Sequence, residues 1–542
     1  MDQTGTTTGS MERLTGLDAS FLYLETPTLH MHVSMAAIFD PSTVPGGYSF
    51  EKVRALVAER IPFLPVFSRR LAQVPFRLGH PFWVDDPDFD IDNHIRRAAI
   101  PSPGGLEELA TFVGDVCGRQ LDRSRPLWEM YVVEGLEDGK IGLVTKIHHS
   151  TIDGVSGAEL LGVLFDLEPN PGPREIPTPE PHHGRMPGEL ELVTQALIGR
   201  LVRPIEITRL AWRTGKAVLD VRRIRQLPRT GQAALPLSAP RTSMNAAVTA
   251  HRRVAFSSIA LDDVKRLKNA AGTTVNDAVL AICTGALRAY LLAGNELPAE
   301  PLVATVPVSV HDTQTETRGS NKVSAMFVQL PTELADPRER LQTIREGTKG
   351  AKEEHHALGA DLLLNWTEHA TPNVFAAGAR AYSRLKLADR HRPIHNLVIS
   401  NVPGPDFPLY LAGAELVAGF PLGPVMEGTG LNVTVMSYRG VVNWGLMACA
   451  DSVRGVWDIA DAIPAALDEL LAAYELSPAH PVGVAPPGRR RKTGPEAAVR
   501  APTRRRSTKA VTSKATEPKT TPPKATARKA PARRATRGTQ PA

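Results

Sequence analysis

The sequence predicts a mixed α/β fold of two domains followed by a tail that does not fold. Segments with apolar residues at every second position alternate with segments of helical spacing along most of the chain. At 542 residues the chain is also too long for one ordinary core, and a Pro-rich stretch interrupts it. We therefore expect a first domain at 11–168, a Pro-rich linker with a helical crossover at 169–250, a second domain at 251–480 and a disordered basic tail at 481–542.

The most informative element of the first domain is the segment from Lys140 to Gly162, KIGLVTKIHHSTIDGVSGAELLG. Its first half has the period-2 pattern of a strand, which should end near His149. The letters S-x-x-E then form a capping box, followed by leucines at helical spacing, so a helix should start at about Gly157. His149 and Asp153 consequently belong to a loop between a strand and a helix, where a rigid scaffold can present catalytic groups.

Three interpretations of the histidine pair stand side by side. His148 and His149 can be hydrogen-bonded structural residues. They can bind a metal, although a histidine and an aspartate four residues apart share a face only on a helix, and no third ligand cluster is nearby. In the third interpretation His149 is a general base, Asp153 orients the loop or the ring, and Gly154 lets the chain turn sharply.

After the first domain, the residues from 189 to 229 are predicted to be helical with a break at Pro204. The part from 200 to 229 holds nine Arg/Lys and two Asp/Glu, mixed with leucine, isoleucine and tryptophan. Basic residues interleaved with apolar ones indicate an element that lies on a membrane or lipid surface. An interdomain crossover helix explains the same pattern, and the sequence does not choose between the two.

The second domain begins near residue 252 with a strand and then a helix, HRRVAFSSIALDDVKRLKNAAG. A hairpin, LNVTVMSYRGVVNWGLMACAD, should turn near Arg439-Gly440. A last helix, WDIADAIPAALDELLAAYEL, closes the domain. Further strands are expected at PLVATVPVSV, SAMFVQLP and HNLVISNV.

The net charge of +6 conceals two opposite parts. Residues 485–542 hold 17 Lys/Arg and 2 Asp/Glu, which leaves 46 basic and 55 acidic residues, a charge of −9, for residues 1–484. The tail is rich in Ala, Pro, Lys, Thr and Arg and has no aromatic residue, so it cannot bury enough surface to fold alone. Its charge suits anionic lipid or nucleic acid, while a solvated tail without a partner is the alternative.

The localisation is predicted from the length of the apolar runs, the first ten residues and the spacing of the cysteines. No apolar run reaches the ~18–20 residues needed to span a bilayer. The first ten residues are polar and unlike a signal peptide, and Met11 is an alternative start. Three widely spaced cysteines favour a reducing compartment. We expect a cytoplasmic protein in peripheral contact with the inner face of the membrane or with lipid droplets.

Several motifs together resemble one family. HHSTIDG, PLW followed by GL in DRSRPLWEMYVVEGL, and ND in GTTVNDAVLAICTGALRAYL are similar to the HHxxxDG, PLW and ND motifs of the bacterial wax ester synthase/diacylglycerol acyltransferases. The opening MERLTGLDASFLYLETPTLHMHV and the later SNVPGP also resemble that family, and the similarity runs from about Met11 to about Leu476. The resemblance implies two chloramphenicol-acetyltransferase-like domains of mixed sheet flanked by helices, with the histidine at their interface and a channel from each side.

The resemblance also implies an acyl-CoA-dependent O-acyltransferase. In the expected step His149 removes the proton of the acceptor alcohol as its oxygen attacks the thioester, and then protonates the CoA thiolate. Asp153 holds the loop, and His148 helps orientation. No G-x-S-x-G motif is present, so direct transfer is simpler than a covalent intermediate. No cofactor or metal is expected; acyl-CoA is a cosubstrate.

Two further motifs have a functional and a structural interpretation. Asn276 and Asp277 lie in the first turn of a helix that begins with a T-x-x-D cap, where unpaired amides gather. They are either substrate-binding and oxyanion residues or simple capping residues. Pro126, Leu127 and Trp128 of the PLW motif are interpreted as packing residues.

The expected product is triacylglycerol, formed from diacylglycerol and a long-chain acyl-CoA. A long-chain alcohol as acceptor would give a wax ester instead. The competing class is a non-catalytic, acyltransferase-like protein that its basic tail tethers to lipid or DNA.

Overall fold

The computed structural model describes residues 12–152, 157–172, 237–309, 323–358 and 372–479, together with positions 188, 212 and 234. Asp153, Gly154, the helical segment 189–229 apart from position 212, and the basic tail therefore lie outside the described residues. The helices are α1 Gly16–Leu24, α2 Phe50–Arg60, α3 Leu106–Cys117, α4 His149–Ile152, α5 Gly157–Leu164, α6 Leu261–Ala271, α7 Val275–Ala293, α8 Pro337–Leu358, α9 Pro372–Arg384 and α10 Val456–Ala473.

The strands of the described residues form two six-stranded sheets and one small three-stranded sheet, in the orders β12-β13-β2-β7-β6-β5, β10-β9-β11-β14-β15-β8 and β1-β4-β3. Their bounds are β1 Glu12–Arg13, β2 His32–Asp40, β3 Arg69–Ala72, β4 Phe82–Asp85, β5 Ile95–Ala99, β6 Trp128–Glu134, β7 Ile141–His148, β8 Arg252–Ala260, β9 Leu302–Ser309, β10 Val323–Leu330, β11 Leu397–Val402, β12 Tyr410–Leu411, β13 Ala414–Leu422, β14 Leu431–Tyr438 and β15 Val441–Cys449.

Strand β7 lies in the middle of the first sheet, antiparallel to β2 and β6. All eight of its residues are buried. One face of the sheet packs against α2 and α5, and the other packs against α3. The predicted strand and its end at the histidine pair are confirmed, and a helix covers Gly157–Leu164 as expected. The predicted loop is wrong for His149, because this residue begins the short helix α4 directly after the strand.

The second sheet packs against a helical layer in which α7 is central. The hairpin of β14 and β15 turns at Arg439 and Gly440, both with positive φ, as predicted. By length and composition α7 is the one described helix that could span a bilayer. Val279, Leu280 and other residues along it are nevertheless buried against α10 and the second sheet, as in the core helix of a globular protein.

Residues 410–422 join the first sheet although they follow most strands of the second in sequence. Strand β13 pairs with β2 from Glu415↔Asp40 to Leu422↔Ser34. This strand was not predicted, because Gly419 and Pro421 interrupt the alternating pattern of AELVAGFPL. The pairing of β13 with β2 therefore joins the second half of the chain to the sheet that carries the histidine pair.

Candidate active site

The end of β7 places the two histidines on opposite sides of the chain. His148 is the last residue of β7 and is paired with His32 of β2, and His149 is the first residue of α4. The amide of His149 still donates to the carbonyl of Met31, at 2.8 Å, so the sheet fixes the backbone of both histidines. Successive side chains of a strand point to opposite faces, and the two imidazoles accordingly have different surroundings.

The imidazole of His149 stacks on Phe21 of α1, with ring centroids 4.1 Å apart and an angle of 28° between the planes. The residue is half-buried, and its Nδ1 has no hydrogen-bond partner among the described residues. Burial, together with the neighbouring His148, lowers the pKa of His149 to about 4. The ring is therefore a neutral imidazole at physiological pH, the form that accepts a proton.

His148 is wholly buried and is held in one tautomer. The backbone amide of Ser150 donates to Nδ1 of His148 at 3.2 Å, and the Ser150 hydroxyl lies 2.7 Å from the same nitrogen. Because Nδ1 accepts, the proton of the neutral ring is on Nε2. Burial lowers the pKa of His148, which favours the neutral imidazole. His148 is therefore interpreted as a packed residue that holds the strand end in place.

A buried carboxylate, Glu25, lies behind the pair. Its oxygens are 3.4 Å from Nε2 of His32 and 3.7 Å from Nε2 of His148, and it accepts a hydrogen bond of 2.9 Å from Nε of Arg123. Burial opposes ionisation of Glu25, but the two imidazoles and the Arg123 guanidinium outweigh it and hold the pKa of the carboxyl below its usual range. We call Glu25, His32, His148 and Arg123 the Glu25 cluster.

The chain between α1 and β2 also contacts the second half of the protein. The carbonyl of Thr28 accepts a 2.7 Å hydrogen bond from Arg252 of β8, and its hydroxyl lies 3.1 Å from that of Ser383. Thr28 is three residues from Glu25 in sequence. The Glu25 cluster therefore sits next to the surface where the two halves meet.

The PLW residues are packing residues in the structure. The indole of Trp128 is fully buried, donates to the carbonyl of Phe67 at 2.7 Å and stacks on His94 with centroids 4.5 Å apart. Leu127 is also fully buried, and its carbonyl accepts from the amide of His148 at 2.9 Å. Leu127 and Trp128, which follow the buried Pro126, are thus hydrogen-bonded neighbours of the end of β7.

Asn276 and Asp277 are placed at the start of α7. The predicted cap is confirmed: Asp277 N–H donates to the Thr274 hydroxyl at 3.2 Å, and Thr274 N–H donates to the Asp277 carboxylate at 3.0 Å. The other Asp277 oxygen accepts from Thr348 of α8 at 2.8 Å. No hydrogen bond or ring contact of the described residues joins the half-buried Asn276 to His149, so its oxyanion role stays a prediction.

Phe21 and the Glu25 cluster are not predicted by any pattern of neighbouring residues in the sequence. One signal was available: Glu25 directly follows the apolar end of α1, and an anion at a helix C-terminus is unfavourable. Such a residue indicates a cationic or hydrogen-bonding partner elsewhere in the fold. Which partner it has follows from tertiary structure alone.

Comparison with known proteins identifies the fold and the family. Residues 14–279 match the wax ester synthase/diacylglycerol acyltransferase catalytic domain, and residues 319–471 match the WS/DGAT C-terminal domain. The chain superimposes with a TM-score of 0.58 and 30% identity on the wax ester synthase/diacylglycerol acyltransferase of Marinobacter aquaeolei, covering 86% of this chain and 100% of that one. The predicted α/β fold of mixed sheets flanked by helices is thus confirmed.

Two relatives from Mycobacterium tuberculosis are similar over nearly their whole length. One, named a diacylglycerol O-acyltransferase, is 41% identical over 472 residues, which are 86% of this chain and 92% of the relative. Another of the same name is 36% identical over 85% of this chain and 98% of the relative. The chain therefore belongs to the wax ester synthase/diacylglycerol acyltransferase family, whose HHxxxDG histidines are His148 and His149 here.

Proposed function

We propose that this protein transfers a long-chain acyl group from acyl-CoA to diacylglycerol, with no resident metal or cofactor. The observation that carries the proposal is the imidazole of His149, neutral at physiological pH and fixed at a strand end in a chain of this family. The relatives named for diacylglycerol acylation support the acceptor. Long-chain alcohols are the second acceptor class, since the Marinobacter relative is also named a wax ester synthase.

The reaction needs one proton to move twice. His149 takes the proton from the acceptor hydroxyl while the oxygen attacks the thioester carbonyl carbon. When the tetrahedral intermediate collapses, the carbon–sulfur bond breaks and the imidazolium returns the proton to the CoA thiolate. An imidazolium whose pKa is about 4 is a strong donor for this second transfer.

Direct transfer also agrees with the surroundings of Cys117 and Cys283. Cys117 lies near the site, since its carbonyl oxygen is 3.3 Å from Nδ1 of His30, whose ring centroid is 5.5 Å from that of His32 in the Glu25 cluster. Burial raises the pKa of the Cys117 thiol and raises that of Cys283 to about 12. Protonated, enclosed thiols are poor nucleophiles, so we assign no acyl-enzyme step to them.

A non-catalytic protein tethered to lipid or DNA is the competing function. Such a protein has no need for a fixed, unprotonated imidazole beside a second histidine held as one tautomer. The His149 geometry therefore favours the enzyme.

The test measures release of free CoA thiol from palmitoyl-CoA by the purified protein. We expect release only when diacylglycerol or hexadecanol is present, and a loss of about 10²–10⁴ in rate for His149→Ala. A second readout is the pH profile: the acid limb of kcat/KM should lie near pH 4, because activity is lost as protonation consumes the free base.

The matched control is His251→Ala, because the His251 ring is exposed and pairs with Asp451 at 3.1 Å, and no described contact joins that ring to Phe21 or the Glu25 cluster. It should leave the rate unchanged. Acceptor-independent release, or a folded His149→Ala protein with full activity, would rule out the mechanism.

A further inference from the structure

Helix α9 presents an apolar stripe to solvent. Val374 is 71% exposed and Leu385, which continues the last turn through a hydrogen bond to Ala381, is 53% exposed. Val374, Gly378, Ala381 and Leu385 fall on one side of the helix at a period of 3.6, and all are exposed. Val374 and Leu385, with Gly378 and Ala381 between them, form an apolar strip, and exposed apolar patches mark protein or membrane interaction sites.

The most exposed large apolar side chain of the described residues is next to the start of α9. Phe76 is 84% exposed, and its backbone has a positive φ of 55°. The side-chain amide of Asn373 donates to the carbonyl of Phe76 at 2.9 Å and joins this turn to the helix. Phe76, Val374 and Leu385 are the apolar part of what we call the α9 surface.

Positive charge borders these apolar residues. Residues 372–386 contain three basic residues and no Asp or Glu, and Arg77 follows Phe76. Arg77, Arg380, Arg384 and Lys386 are all exposed. By contrast, residues 1–484 as a whole carry −9. Apolar side chains edged by cations complement the acyl boundary and the anionic headgroups of a bilayer.

The α9 surface lies over the helix that touches the catalytic histidine. Tyr23 of α1 contacts Phe375 of α9 with centroids 6.2 Å apart, and its hydroxyl lies 2.8 Å from Nδ1 of His80, in the loop that carries Phe76. Phe21, two residues before Tyr23, stacks on His149. A membrane bound here would lie on the side of α1 opposite to the imidazole.

We propose that the α9 surface is the bilayer-binding face of the protein, with Phe76, Val374 and Leu385 inserted among the lipids and the four basic side chains on anionic headgroups. Binding itself does not depend on the proposed reaction. Only the consequence does: binding would hold the bilayer, and a water-insoluble acceptor dissolved in it, against the helix α1 that packs on His149.

The experiment is co-sedimentation of the full-length protein with vesicles, without any substrate. Vesicles of phosphatidylcholine alone and of phosphatidylcholine with phosphatidylglycerol are compared at low salt and at 0.5 M salt, because high salt screens the basic tail. The double variant Phe76→Ser/Val374→Ser should lower the partition coefficient about tenfold or more on both vesicles, even at high salt. Arg380→Gln/Arg384→Gln should weaken binding to the anionic vesicles alone, and chiefly at low salt.

The matched control is Leu167→Ser, a 63% exposed leucine in another part of the chain, which should bind as the parent does. Unchanged vesicle partition of the Phe76→Ser/Val374→Ser protein would overturn the proposal. The proposal would also fail if the same substitutions left vesicle binding unchanged but converted a dimer to a monomer or abolished binding to a DNA duplex. The surface would then bind a second copy of the chain or DNA. CoA release on a detergent-dispersed acceptor should stay at the parent level in these variants, which separates this proposal from that of the reaction.

Discussion

A single buried carboxylate, Glu25, contacts several residues next to the candidate base His149. Glu25 is almost fully buried, yet it stays ionised because two imidazoles and a guanidinium surround it. A carboxylate of this kind stabilises the fold above its ordinary pKa, and the contribution is lost as pH falls through the lowered value. It fixes the ring of His148, whose neighbour in sequence is His149.

We predict that Glu25→Gln lowers the free energy of unfolding by about 3 kcal/mol, because Arg123 and the buried imidazoles lose their anion while the shape is kept. Urea unfolding at pH 7 measures the change. Glu415→Gln is the control, since Glu415 forms a more exposed ion pair with Arg439, and its loss should cost no more than about 1 kcal/mol. Equal effects of the two substitutions would contradict a special role for the cluster.

At the scale of elements, two strands of different sheets meet at a glycine. A Cβ on Gly445 of β15 would lie 1.9 Å from the carbonyl oxygen of Pro421 in β13. Strand β13 belongs to the first sheet and β15 to the second, so this contact sets how closely the sheets approach. The absence of a side chain is the condition for that approach.

Gly445→Ala should therefore destabilise the protein by about 1–3 kcal/mol through overpacking. Thermal unfolding provides the measurement. Gly162→Ala is the matched control: Gly162 lies in α5 and an added Cβ would meet nothing within 4 Å, so alanine should be neutral or stabilise by up to about 1 kcal/mol. A Gly445→Ala protein as stable as the parent would mean that the sheets separate freely at this point.

For the whole molecule, charge is divided between an acidic body and a basic tail. All the contacts of His149, the Glu25 cluster and the α9 surface described above lie within residues 12–479. Residues 485–542 lie outside both family matches, which end at residue 471.

We predict that deletion of residues 485–542 leaves turnover on a detergent-dispersed acceptor unchanged. The reason is that the chemistry depends on groups of the folded body, while the tail carries charge and no aromatic or large apolar core. Initial rates of the full and shortened chains provide the comparison. A large loss of rate would make the tail part of the catalytic unit.

Local patterns were sufficient for several features. The strand that ends at the histidine pair, the T-x-x-D cap of α7 and the turn at Arg439 and Gly440 were predicted from neighbouring residues, because each depends on contacts within a few positions. The family was predicted from the HHSTIDG, PLW and ND motifs, which lie far apart in the chain but are each recognisable as a short sequence. These features locate His149 at the end of a strand and account for much of the secondary structure.

By itself, the sequence determined the fold class, the family and the identity of the candidate base. Only the tertiary structure decided that Phe21 stacks on His149, that Glu25 meets His32 and His148, that β13 crosses to the first sheet and that Phe76 lies beside α9. The physical reason is range: caps, turns and strand periodicity are set by adjacent residues. The pKa of a buried imidazole and the course of an exposed apolar surface depend on groups that folding brings together from distant parts of the chain.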